Sequence, residues 1–325
     1  MTDSLTTQLK TILLVTTADT DILAADRAVA SLSHADFPLV RAFNPAALDT
    51  PEARQELLDA AGQAGVVVLR LLGGKRAMAE SFDPLVRLCR ARNVPLIACP
   101  GHEEWDEDLV GACSAPVAEV ETVFSYLLRG GVQNLQNLFL FLSDTYLGTS
   151  YGHDAPAPVP WEGIYHPDFS VAETLAPETF IAKKFRPGRP TVGLLFYRAH
   201  WMSGNLGFID ALVRRLEELG ANVLPVFSYS LKHSPEDEEA ESEAKASRAL
   251  TQFMAAPGGA PRVHCIVNTM GLAMSELSRE GPTIASGWSV DYLDQLNVPI
   301  IQGIVSTGSR QQWQDSTLGL GPIDT

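Results

Sequence analysis

Residues 191–229, TVGLLFYRAHWMSGNLGFIDALVRRLEELGANVLPVFSY, decide the fold. Thr191 to Tyr197 is apolar enough for a strand buried on both faces. Phe208, Ile209, Leu212, Val213, Leu216 and Leu219 then recur at helical spacing up to Gly220, and Ala221 to Tyr229 returns to a strand pattern. Strand, helix and strand in that order make a βαβ unit, and hence a parallel sheet. Between the first strand and the helix, Tyr197 to Gly207 reads as a loop carrying Arg198, His200, Trp201, Ser203, Gly204 and Asn205. It lies at the carboxyl end of a strand, where open α/β sheets hold their ligands.

The amino-terminal half repeats the alternation. Thr11 to Thr17, Phe37 to Phe43, Gly65 to Leu72 and Val94 to Pro100 read as strands. Between them, Asp21 to Leu32 is a helix, Thr50-Pro51 opens a second as N-cap and first-turn proline, and Ser81 is expected to cap a third. Val117 to Leu128 is a helix stopped by Gly130-Gly131, and Val132 to Leu147 is another with a wide apolar face. Further on, Ser234, Pro235 and Asp237 resemble a capping box, and RVHCIVN and VPIIQGIV are strands. The expected architecture is two consecutive doubly wound, Rossmann-like α/β domains, over 1–150 and 191–325. The proline-rich stretch 151–190 joins them, its prolines too many for regular elements.

Composition narrows the function classes. The 325 residues are 46% hydrophobic, enough for about two domains, and 24 basic against 39 acidic side chains give a formal charge of -15. Such a surface repels phosphate backbones and anionic lipid heads, so nucleic acid and membrane are poor partners. The N-terminus lacks the pattern of a signal peptide and no apolar run spans a bilayer, so the expected location is cytoplasmic. Cys89, Cys99, Cys113 and Cys265 form no C-x-x-C pair and read as reduced and structural.

The polar clusters each admit two readings. Arg198, His200, Ser203 and Asn205 face a ligand with carboxylates, or Tyr197 and Trp201 pack between sheet and helix while Arg198 pairs with a nearby acid. HEEWDED, His102 to Asp108, offers one imidazole and five carboxylates but no second His or Cys at ligand spacing. GIYHPDF gathers Tyr165 and His166 beside Trp161, either as a packed strap or as a contact for an aromatic ligand. No metal ligand and no catalytic residue is assigned.

The stretch PTVGLLFYRAHWMSGNLGFIDALVRRLEELGANVLPVFSYSL resembles a segment shared by the large subunit of cobaltochelatase and the porphyrin-binding H subunit of magnesium chelatase. There a strand ending in Arg-x-His is followed by a small residue and Gly, a helix, Glu-x-x-Gly and a Pro-containing strand. LRLLGGKRAMAESFDPLVRLCRARNVPLIACPG, LLRGGVQNLQNLFLFLSD, GIYHPD and WQDSTLGLGPID are similar to the family in the same order, so the resemblance covers almost the whole chain. LLGGKR, the Gly-Gly-x-x-Asn-x-x-Asn helix start and YRAHWMSGN point to the cobalt branch.

The resemblance implies ATP-dependent insertion of cobalt, the substrate metal, into hydrogenobyrinic acid a,c-diamide on the aerobic cobalamin pathway. It also implies an AAA+ ATPase subunit and its companion as partners, with ATP hydrolysed there. Gly73-Gly74-Lys75-Arg76 agrees, since it lacks the upstream Gly and following Ser or Thr of a phosphate-binding Walker loop. Arg198, His200, Ser203, Gly204, Asn205 and His166 are then the candidate substrate-binding residues. Arg198 would pair with a side-chain carboxylate of the corrin, and His200 would donate a hydrogen bond or meet the metal. Family large subunits are several times longer, so the chain is expected to be an amino-terminal fragment that does not chelate alone. The magnesium branch with its porphyrin ligand, a non-catalytic head that docks partners and a periplasmic-binding-like module are the alternatives.

Overall fold

The computed structural model describes residues 11–169, 175–231, 247–270, 296–306, 308–317 and 319. They form two compact units, Met1–Val159 with Met202–Asn205, and Pro160–Trp201 with Leu206–Thr325.

The first unit is a parallel sheet of β1 (Thr11–Thr16), β2 (Val40–Phe43), β3 (Ala64–Leu71) and β4 (Leu96–Pro100), ordered β2-β1-β3-β4. Successive strand residues point to opposite faces, and the strands are apolar at both parities. Leu13, Val15, Val67, Leu69 and Leu96 therefore pack with Leu57 of α2 (Pro51–Gln63) and with Phe82, Leu85 and Cys89 of α3 (Ala79–Arg92). Ile12, Leu14, Val66, Val68 and Ile97 pack with α1 (Asp19–Ala30), α5 (Val117–Arg129) and α6 (Gly131–Leu142). Helices on both faces make the sheet doubly wound, as the strand and helix alternation requires. A short helix, α4 (Glu107–Val110), follows β4.

Local chemistry sets the helix ends. Thr50 Oγ1 accepts the Ala53 N–H at 3.1 Å, with Pro51 as first helical residue, as expected. Ser81 is not the cap of α3. A 3-10 segment, Gly74–Met78, feeds the helix directly from Ala79, so Ser81 is buried within its first turn and Pro84 lies inside it. Asp106, from the acidic HEEWDED stretch, caps α4 by accepting the Leu109 N–H at 3.0 Å, and Asp108 pairs with Lys75 at 2.8 Å. The acids thus serve a helix start, and no group of metal-ligating side chains occurs among the described residues.

The Gly-Gly-x-x-Asn-x-x-Asn motif has a structural explanation. Gly130 has φ +64° and separates α5 from α6, and the two asparagines then point from α6 to the strap that follows it. Asn134 exchanges two hydrogen bonds with the backbone of Ala157, both at 2.9 Å, while Asn137 Oδ1 accepts the Asp154 N–H at 2.8 Å. A strap broken by prolines cannot pair its backbone in a regular element, and the carboxamides serve as partners for its N–H and C=O groups.

The second unit has the order β5-β7-β6-β8-β9, formed by β5 (Glu162–Ile164), β6 (Thr191–Tyr197), β7 (Asn222–Ser228), β8 (Cys265–Asn268) and β9 (Ile300–Gln302). Only β5 is antiparallel, and the four parallel strands repeat the order of the first sheet. Leu195, Leu224, Val226 and Ile266 pack on one face with Leu250 and Met254. The helix after β6, α9 (Gly207–Glu218), buries Ile209 and Val213. The proline-rich stretch does contain regular elements: β5, and α7 (Pro177–Lys184), which places Pro177 at its first position where no N–H is needed. The capping pattern at Ser234, Pro235 and Asp237 lies outside the described residues. No described helix is long and apolar enough to cross a membrane.

Candidate functional site

Tyr197 ends β6, and the following residues form a short helix, α8 (Arg198–Ser203), rather than the expected loop. Arg, Ala, His, Trp and Met all tolerate helix, and no Gly or Pro interrupts them before Gly204. Gly204 then adopts φ +68°, a left-handed conformation that suits glycine after a helix end.

Arg198 turns toward the start of β5. Its Nε donates to the Pro160 carbonyl at 2.7 Å, and its guanidinium carbon lies 4.4 Å from the centre of the Trp161 ring. Trp161 meets Tyr229 edge to face at 5.3 Å, and Tyr229 is 54% exposed. Burial pushes the Arg198 guanidinium down to about 10, opposed by the charge of Glu162, so it stays a cation at neutral pH. The arrangement is an aromatic surface at the carboxyl ends of β6 and β7, backed by a cation whose charge the buried Glu162 offsets. Trp201 lies against Phe227 at 4.3 Å, nearly parallel, and belongs to the core beneath. The half-buried His200 meets Phe208 edge to face at 4.9 Å, and burial lowers its pKa, keeping the imidazole neutral at pH 7. A neutral imidazole retains the lone pair a metal requires.

Other predicted residues are placed elsewhere. Ser203, Gly204 and Asn205 group with the first unit; Ser203 is buried and Asn205 exposed. His166 follows β5 at the end opposite Trp161, since β5 runs antiparallel to β7 and pairs Glu162 with Ser228 but Ile164 with Val226. It is 2% exposed, and its Nε2 lies 3.1 Å from Glu217 Oε1 while Nδ1 accepts the Asp168 N–H. That acceptor role leaves the proton on Nε2, which donates to Glu217. Asp168 is itself paired with Lys184 and Arg214, which hold its carboxyl well below the usual range. The sequence offered Trp161 either as strap packing or as a contact for an aromatic ligand and gave no sign of Tyr229, which simply follows the last residue of β7.

Burial lowers the pKa of His166 below 6.5. The unfolded chain therefore binds the proton more readily, and the stability from the neutral form is present above pH 6.5 and lost as pH falls through 6.5 toward the folded value. His200 shares that direction, whereas Asp168, whose pKa is depressed, loses its contribution only at more acidic pH. His166→Gln should flatten the fall in urea-unfolding stability between about pH 7.5 and pH 5.5. An unchanged slope would mean that His200 or other groups carry it.

The comparisons agree with this architecture. Residues 124–325 match the family described as CobN/Magnesium Chelatase. The chain is 32% identical over 291 residues to the aerobic cobaltochelatase subunit CobN of Pseudomonas aeruginosa, covering 89% of this chain and 21% of that protein. It is 28% identical over 209 residues to the magnesium-chelatase H subunit of Rhodobacter capsulatus, covering 62% and 15%. The catalytic subunit of cobaltochelatase from Mycobacterium tuberculosis superposes with a TM-score of 0.70 at 29% identity, covering 97% of this chain and 23% of that one. The chain thus spans about a fifth of the length of the curated relatives it matches. Its paired parallel sheets and its matches along both units place it: the chain belongs to the CobN/magnesium chelatase family.

Proposed function

We propose that the chain supplies part of the tetrapyrrole-binding surface of a cobaltochelatase large subunit. The complex would insert cobalt into hydrogenobyrinic acid a,c-diamide, with ATP hydrolysed by AAA+ partner subunits. The observation that supports a ligand surface is the aromatic pair of half-buried Trp161 and exposed Tyr229, set by Arg198 at the carboxyl ends of β6 and β7. Flat apolar rings suit the face of a macrocycle, the half-buried cation favours its carboxylate edge, and neutral His200 belongs to the same short helix as Arg198. The cobalt branch is favoured because its relative matches along more of the chain than the magnesium relative does.

The test is titration of the chain with hydrogenobyrinic acid a,c-diamide, followed by absorbance and tryptophan fluorescence. Saturable binding is expected, weakened about tenfold or more by Tyr229→Ala and by Arg198→Ala. Protoporphyrin binding more tightly than the corrin would move the reading to the magnesium branch. A folded chain that binds neither would falsify the surface and leave a head that docks partners.

A further inference from the structure

The stretch Lys183-Lys184-Phe185-Arg186-Pro187-Gly188-Arg189 holds four cations and no acid in a chain of formal charge -15. The structure fixes it at the amino ends of β6 and β7, the opposite end of the sheet from the aromatic pair. Asn222, buried at the start of β7, accepts the Arg186 N–H at 2.8 Å and donates to the Arg186 carbonyl at 3.0 Å. Its own N–H donates to the Pro190 carbonyl at 2.8 Å. These bonds hold the loop by its backbone and leave the guanidinium groups to other work.

Lys184, Arg186 and Arg189, with Glu217 and Ala221 to Val223, line a cavity of about 240 Å³. Lys184 is engaged by Asp168 and Glu217, while among the described residues neither Arg186 nor Arg189 forms an ion pair. Two guanidiniums outside any ion pair among the described residues, with the lining carboxylate of Glu217 engaged by Lys184 and Arg214, thus border a cavity smaller than the roughly 300–1,000 Å³ of drug-sized ligand sites. Guanidinium forks match the oxygens of phosphate in paired hydrogen bonds, and two positive charges balance a dianion. We propose that this cavity binds a dianionic oxyanion of the phosphate class, free or as the terminal group of a nucleotide. Binding here is independent of tetrapyrrole binding at the other end of the sheet.

Calorimetric titration of the chain with inorganic phosphate at fixed ionic strength tests it, beside Arg186→Gln/Arg189→Gln and the first-unit control Lys75→Gln. Saturable binding is expected, weakened at least about tenfold in the double variant and unchanged in the control. Circular dichroism of the double variant should match the parent, because the loop is held by Asn222 through its backbone. A parallel titration with ADP identifies the source: tighter binding than phosphate assigns a nucleotide tail, and equal or weaker binding assigns the free anion. Absence of saturation, or equal affinity in the double variant, overturns the site.

Discussion

Phe180→Ala is expected to lower the unfolding free energy of the second unit by about 3–5 kcal/mol, the range for a fully buried aromatic side chain. Phe180 has no exposed surface, and its ring stands 5.8 Å from His166 and 6.0 Å from both Phe169 and Phe185. Removing it opens a void that three rings border, and rings anchored on separate segments collapse poorly into the space. It also removes the only wholly buried side chain that α7 contributes to the sheet. Urea unfolding of the variant, followed through the transition that melts the second unit, measures the loss. A decrease under about 1 kcal/mol would show that α7 lies outside that cooperative unit. Phe180→Leu should recover much of the stability, since it restores most of the volume.

The second large effect is electrostatic. Asp21→Ala should cost the first unit about 2–3 kcal/mol. That is slightly less than the roughly 3–5 kcal/mol for breaking a fully buried pair, because some surface remains exposed. Asp21 Oδ1 pairs with Arg70 at 2.7 Å, and Oδ2 accepts from the wholly buried Thr16 hydroxyl at 2.7 Å. The substitution leaves a mostly buried guanidinium without its carboxylate. Arg70→Met together with Asp21→Ala should regain most of the loss, so a double-mutant cycle separates the stranded charge from the packing. Additive single effects would mean that the two residues are not energetically coupled. The pair also bridges the carboxyl ends of β1 and β3, the point at which strand order reverses and such sheets ordinarily hold ligands. In the first unit, the chain's own charges occupy that position.

The sheets were legible because parallel strands buried on both faces need continuous apolar runs, and Ile12 to Val15, Val66 to Leu69 and Leu194 to Phe196 have them. The helix after β6 was legible from its apolar spacing, but α8 was not, because six residues give less than two turns of periodicity. Ser81 misled for a different reason: a local capping pattern says nothing of a 3-10 segment that already continues into the helix. At the candidate site, Arg198 stood out as a charged residue ending a strand. Its partners did not, since Pro160 and Trp161 lie well over thirty residues away and reach it only through the pairing of β5 with β7. The cations of 183–189 stand in the sequence, but only the tertiary bonds between Asn222 and Arg186 show that three of them, Lys184, Arg186 and Arg189, border one cavity.

Short as it is, β5 changes what the second sheet exposes. β7 is buried along its whole length, and beyond Ser228, Phe227 and Val226 it is β5 that lies along the side away from β6. A piece of this chain begun at Thr191 would lose that cover and present a bare row of amide and carbonyl groups on an apolar strand. Such an edge recruits strands from other molecules. The short antiparallel strand therefore guards the β7 side of the second sheet against self-association, and any dissection of the chain that keeps this cover has to begin ahead of Glu162.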